Sequence, residues 1–75
     1  MEDLRADLAW NIKQCRRSRG VSQERLALDA EVDRTVVSKI ERRVGNPSLD
    51  TLVKLANSLD TTVSALIAPK EPESL

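Results

Sequence analysis

The stretch "EVDRTVVSKIERR", Glu31–Arg43, decides the fold, because it interleaves acids, bases and valines in an order that only one geometry sorts out. Asp33 is a good N-cap for a helix starting at Arg34, and that helix runs to about Arg43. At about 100° per residue from Arg34, the residues Val36, Ile40 and Val37 fall at about 200°, 240° and 300°, the width of one buried stripe. The opposite arc, from 0° to about 140°, carries Arg34, Ser38, Arg42, Thr35 and Lys39. That face holds cations and hydroxyls and no acid. A polar face with Lys and Arg is also the ordinary solvated side of a surface helix, so its surroundings must decide its meaning.

Glu41 lies near 340° on the same wheel, on the border between surface and core. A carboxylate there is costly without a partner. The first helix offers Arg16, next to Cys15 at the edge of its own apolar stripe, so an Arg16–Glu41 ion pair is expected. The alternative is two independent surface charges.

Working outward, Leu4, Leu8, Ile12 and Cys15 recur at spacings of four, four and three, which places them on one side of a first helix reaching about Arg19. Gly20 ends it, and Ser22 caps a short second helix, "QERLALDA", with Leu26 and Ala27 inward. Ala30, Glu31 and Val32 form a break before the third helix. After "VGNPS", Ser48 caps a fourth helix whose Leu49, Leu52, Val53, Leu55, Ala56 and Leu59 form a broad apolar face. Thr61 or Thr62 caps a last short helix with Val63, Leu66 and Ile67. The expected domain is 1–68, followed by a flexible C-terminal tail, 69–75, "PKEPESL". Five short helices with a three-residue turn between the second and third are an all-α helix-turn-helix arrangement.

Composition narrows the function. The chain has 75 residues, 40% apolar and 32% charged, with Trp10 as its one aromatic side chain, which implies one small domain with an aliphatic core. Cys15 is the sole cysteine and histidine is absent, which removes disulfide frameworks, most zinc sites and histidine-based catalysis. No clustered acid pair or glycine-rich loop replaces them, so the expectation is no enzyme, no cofactor and no metal. "MEDLRADLAW" lacks the basic-then-apolar order of a signal peptide, and no apolar run approaches the ~20 residues of a membrane span. A cytoplasmic protein without membrane contact is expected.

The formal charge of zero conceals an uneven distribution. Nine of the twelve Lys and Arg residues lie between Lys13 and Arg43 against five acids, leaving that interval at about +4. Trp10 falls at about 240° on the first helix, roughly opposite the apolar stripe. It is either covered in part by neighbouring side chains or in contact with the tail, a partner or another subunit.

Several of these stretches together carry a resemblance: "IKQCRRSRG", the "SQE" opening the second helix, the "LA" within it, the "VSKIE" of the third helix, and "NPSLDTL" leading into the fourth. They resemble the phage repressor and Cro family, the Xre-type helix-turn-helix regulators, over about residues 4–67. The short chain and the "DRT" opening the third helix are most similar to the controller proteins of restriction-modification systems. The resemblance implies a five-helix, lambda-repressor-like DNA-binding domain and a sequence-specific transcriptional regulator. An antitoxin-like or Cro-like module acting mainly through a protein partner is the alternative, and salt dependence of DNA binding separates the two.

Carried over by position, the family roles make Arg34, Thr35 and Lys39 base-contacting in the major groove, with Val36 placed to touch a thymine methyl. Gln23 falls to a phosphate or a base at the edge of the site. Ser38, Arg42, Arg43 and Asn46 fall to phosphates, and Arg17 and Arg19 either join that rim or are merely solvated. The family binds inverted repeats as homodimers, which assigns Leu49, Leu52, Val53, Val63, Leu66 and Ile67 to the dimer interface or to the core. Glu24 and Asp29 are either a patch for RNA polymerase or a solvated acidic face. Two positions depart from the family pattern. Glu31 stands where relatives have a glycine of positive φ, so it is either strained or the turn is altered. Arg43 stands where "ERG" is usual, adding a cation that favours the helix dipole.

Overall fold

The computed structural model describes residues 4–69. Five helices follow one another: α1 (Leu4–Ser18), α2 (Gln23–Ala30), α3 (Arg34–Glu41), α4 (Leu49–Ser58) and α5 (Val63–Leu66). No strand occurs among the described residues, and no helix there is long and apolar enough to cross a membrane. Of the expected tail, residues 70–75 lie outside the described residues.

The starts of α2 to α5 are set by short side chains that accept a backbone N–H of the first turn, which would otherwise have no partner. Ser22 accepts from the Arg25 amide at 2.9 Å and Asp33 from the Thr35 amide at 2.7 Å. Ser48 accepts from Thr51 at 3.1 Å and Thr62 from Ala65 at 3.0 Å. Of the two threonines expected to cap α5, it is therefore Thr62. The amide of Thr35 also holds the Asp33 carboxyl below its usual range, stabilising the capping anion.

The ends of α1 to α4 share one device. A residue in the left-handed region is followed by one whose N–H returns to a carbonyl five residues back. Val21 bonds Arg16 at 3.1 Å, Val32 bonds Ala27 at 3.0 Å, Val44 bonds Lys39 at 2.9 Å and Thr61 bonds Ala56 at 2.9 Å. The left-handed residues are Gly20, Glu31, Arg43 and Asp60, with φ of 68°, 60°, 66° and 58°. Glycine occupies only the first of these four positions. The turn at Glu31 is therefore unaltered, and Glu31 adopts the backbone a glycine would adopt without strain.

Leu8, Ile12, Leu26, Ala27, Ala30, Val37, Ile40, Leu55, Ala56, Leu59 and Leu66 form the buried core. Three expectations need correction. Leu4 is 59% exposed: it sits in the first turn of α1, beyond the end of the core stripe. Leu49 and Val53 are also exposed, so the buried side of α4 is narrower than its apolar arc. Leu66 has no exposed surface, so it belongs to the core and has nothing to offer a second subunit.

Polar contacts fix how the helices sit. Arg16 grips Glu41 with two donors, Nε to Oε2 at 2.8 Å and Nη2 to Oε1 at 3.1 Å, and its Nη1 donates to the Val21 carbonyl at 3.0 Å. The Glu41 side chain is only 3% exposed and that of Arg16 14%. Burial pushes the Glu41 carboxyl up, but the Arg16 and Gln23 hydrogen bonds and the charges of Arg16 and Lys13 outweigh it, so its net shift is downward. The hydrogen bond to Glu41 raises Arg16. Asn11 on α1 donates to the carbonyls of Leu66 and Ala68, both at 2.8 Å, and so closes the end of α5 onto α1.

Arg16→Met alone is expected to cost about 3 kcal/mol, since it strands a buried carboxylate, whereas Arg16→Met with Glu41→Leu should cost much less. Urea titrations in which the single variant stays within ~0.5 kcal/mol of wild type dismiss a structural role for the pair. Because the folded Glu41 is shifted down, its contribution is present above the ordinary value of 4.5 and lost as pH falls through the folded value. The double variant should lose that part of the acid dependence. Separately, Glu31→Gly should stabilise by up to about 1 kcal/mol by relieving the left-handed backbone. A lower melting temperature for Glu31→Gly contradicts this.

Candidate nucleic-acid interface

With Val37, Ile40 and Glu41 held inside, the rotation of α3 about its own axis is fixed, and its other residues must face out. Arg34, Thr35, Lys39 and Arg42 are exposed, and Ser38 is half-buried beside them. Val36 is also half-buried, packed against the core yet lining a shallow groove of about 200 Å³ together with Lys39, Val44, Gly45, Asn46 and Pro47. No acid of α3 lies on this face, because Glu41 is turned inward to Arg16. Arg43, at the left-handed turn after α3, is exposed as well.

Two side chains at the border are held by contacts that composition does not reveal. Gln23, the first residue of α2, donates from Nε2 to Glu41 Oε1 at 3.0 Å, so it is tied to the ion pair. Asn46 accepts at Oδ1 from Arg5 Nη2 at 2.6 Å, while Arg5 Nε donates to the Gly45 carbonyl at 3.1 Å. Arg5 thus ties the start of α1 to the loop after α3 and holds Asn46 by its amide oxygen. The Arg5 contact had no sequence signal, since it joins residues forty positions apart.

The remaining residues distribute as follows. Arg17 and Arg19 are exposed at the end of α1. Glu24 is exposed on α2, and Asp29, also exposed, lies 3.1 Å from Arg25 in a surface ion pair. Leu28, between them on α2, is 66% exposed and was not singled out from the sequence. Trp10 is 42% exposed. On the side formed by α4 and α5, Leu49 and Val53 are exposed and Leu52, Val63 and Ile67 half-buried.

Comparison with known proteins agrees with this arrangement. A helix-turn-helix family model matches residues 12–66. The chain is 40% identical over 70 residues to a hypothetical transcription factor of Neisseria meningitidis, covering 93% of this chain and 66% of that protein. The crystal structure of the Neisseria factor superposes with a TM-score of 0.87, covering 91% of this chain and 78% of that one. The control protein C.SmaI of Serratia marcescens is 37% identical, over 87% of this chain and 77% of its own length. The restriction-modification controller protein C.AhdI of Aeromonas hydrophila is 34% identical with a TM-score of 0.78, covering 83% of this chain and 94% of that one. The chain thus spans just under two thirds of the curated Neisseria relative. By sequence and by fold, it belongs to this helix-turn-helix family.

Proposed function

We propose that this helix-turn-helix protein is a sequence-specific, DNA-binding transcription regulator that occupies an inverted-repeat operator as a homodimer, in the manner of a restriction-modification controller. The observation that carries the reading is the outward face of α3, cationic and hydroxyl-bearing, with the helix's one acid withdrawn into the core. A helix of this diameter fits the major groove, where side chains reach base edges. Arg34, at the start of α3, is the candidate for two parallel hydrogen bonds to guanine, and Thr35 and Lys39 read neighbouring positions. Val36 offers a methyl contact to thymine from the side of the groove next to Lys39.

Around this strip, Ser38, Arg42, Arg43, Asn46 and Gln23 take phosphates. Asn46 and Gln23 suit that role because each has its amide orientation fixed by a neighbour, Arg5 and Glu41 respectively. Phosphate contacts give affinity and register, while base contacts give sequence. Overall neutrality of the chain does not conflict with this, since nine of the twelve Lys and Arg residues lie between Lys13 and Arg43 and the outward face of α3 carries no acid.

One such module reads few base pairs, and a two-fold dimer with half-sites about 34 Å apart supplies the rest. Leu49, Leu52, Val53, Val63 and Ile67 are the surface for it, with Leu66 excluded by its burial. RNA polymerase is a partner for the exposed acids Glu24 and Asp29, the latter in a surface pair with Arg25. A second reading, an antitoxin-like or Cro-like module that works mainly through a protein partner, draws support from the exposed Leu28 beside Glu24.

Operator selection from a random duplex pool, followed by fluorescence anisotropy, should show Arg34→Ala losing ~1–3 kcal/mol and relaxing preference at one base position. Affinity should fall steeply between low and physiological salt. Salt-independent binding favours the protein-partner reading. In sedimentation, wild type should be dimeric at roughly tens of micromolar, and Val53→Asp should be a folded monomer. Leu66→Ala should instead lose ~2–5 kcal/mol of stability. A wild-type monomer both in solution and on DNA rejects the homodimer.

A further inference from the structure

The network around Glu41 contains one hydrogen bond more than the ion pair needs. Arg16 already satisfies both carboxylate oxygens, at 2.8 and 3.1 Å. Gln23 adds a further donor on Oε1 at 3.0 Å, from a different helix and from its first residue.

The chemistry of that contact is directional. A glutamine side chain ends in an acceptor oxygen and a donor nitrogen with two hydrogens, and a free side chain presents either by rotation. An ionised carboxylate only accepts. Glu41, kept ionised by Arg16, can therefore hold only the nitrogen end of Gln23. One amide hydrogen is committed inward, and the second diverges from it in the amide plane, away from Glu41. Gln23 itself is half-buried, so it bridges interior and surface. Beside it, Ser22 caps α2 through the Arg25 amide, which leaves the N–H groups of Gln23 and Glu24 outside that contact.

We infer that Glu41 is a positioning residue for DNA: through its hydrogen bond it locks Gln23 as a donor toward the phosphate backbone, so that Arg16, Glu41 and Gln23 form one line from core to nucleic acid. This rests on the DNA-binding reading above and goes beyond it, because it makes affinity depend on a carboxylate that touches no DNA. Without Glu41, the Gln23 amide rotates and presents its carbonyl oxygen to the phosphate for part of the time, which a phosphate oxygen repels. The contact is an interaction with backbone, so its loss weakens binding to all sequences alike.

The test compares wild type, Gln23→Ala, the double variant Arg16→Met with Glu41→Leu, and the triple variant combining them. The probe is a fluorescent mixed-sequence duplex of about 24 base pairs at about 50 mM salt, where phosphate contacts dominate. Gln23→Ala should bind about tenfold more weakly, as expected for a lost hydrogen bond to a charged group. The double variant should bind more weakly than wild type but less weakly than Gln23→Ala, with native circular dichroism, and the triple variant should be no weaker than Gln23→Ala. A folded double variant that binds as tightly as wild type overturns the inference, as does a Gln23→Ala loss repeated in full on the double background. NMR of the wild type provides a test that needs no variant to fold. The two Gln23 side-chain amide protons should be shifted apart by the one-sided hydrogen bond, and resonances at free-glutamine positions overturn the inference by themselves. Failure of wild type to bind any duplex rejects the DNA-binding reading, and the inference with it. Wild-type binding with an unaffected double variant rejects the inference alone.

Discussion

A carboxylate that is almost wholly enclosed at the C-terminal end of α3 governs this structure. Glu41 can be there only as a partner of Arg16, and Arg16 can make its fork only if α1 and α3 keep one relative placement. Apolar packing by Val37 and Ile40 would tolerate some rolling of α3, since dispersion contacts are non-directional. The bidentate pair does not. It sets the angular position of α3, and that in turn decides that Arg34, Thr35, Lys39 and Arg42 face outward. A second consequence is electrostatic: turning the acid of α3 inward removes the one group that would cancel the cations on its outer face.

Much of this was legible because it is local. Helix starts were readable from Ser22, Asp33 and Ser48, since an N-cap is a contact between residues two or three apart. The orientation of α3 was readable from its 3.6-residue period together with the cost of burying a charge. Asn11, by contrast, holds α5 through carbonyls more than fifty positions away, and Arg5 reaches a loop forty positions away. No spacing rule encodes such contacts, because they depend on where the chain returns after three turns. Leu66, which the sequence left open between interface and core, is decided by the same kind of contact: it is buried in the apolar core, and its carbonyl accepts from Asn11 on α1.

The same limit applies to the apolar residues of α4. Leu49, Val53, Leu55 and Leu59 look equivalent in a sequence, yet the first two are exposed and the last two buried. A domain of this size has a core too small to absorb every aliphatic side chain it carries. On α4 the exposed members are Leu49 and Val53, while Leu52, Val63 and Ile67 are half-buried against the core and Leu66 is wholly within it.

The left-handed helix ends show a different use of strain. Positive φ costs a non-glycine residue about 1–2 kcal/mol, and Glu31, Arg43 and Asp60 each accept it. Aspartate tolerates this backbone better than most residues, so Asp60 is the mildest case. At Glu31 the side chain is exposed, and the compensation lies in the backbone: the Glu31 and Val32 amides return to the Leu28 and Ala27 carbonyls. Arg43 differs from both. Glycine there would close the same turn without strain, but the cations at the end of α3 would stop at Arg42. Arginine places a cation against the negative end of the helix dipole, next to exposed Arg42, and extends the cationic face into the turn. The backbone strain at Arg43 is thus offset in the folded state by the dipole, and on the DNA-binding reading by phosphate, whereas at Glu31 neither compensation exists.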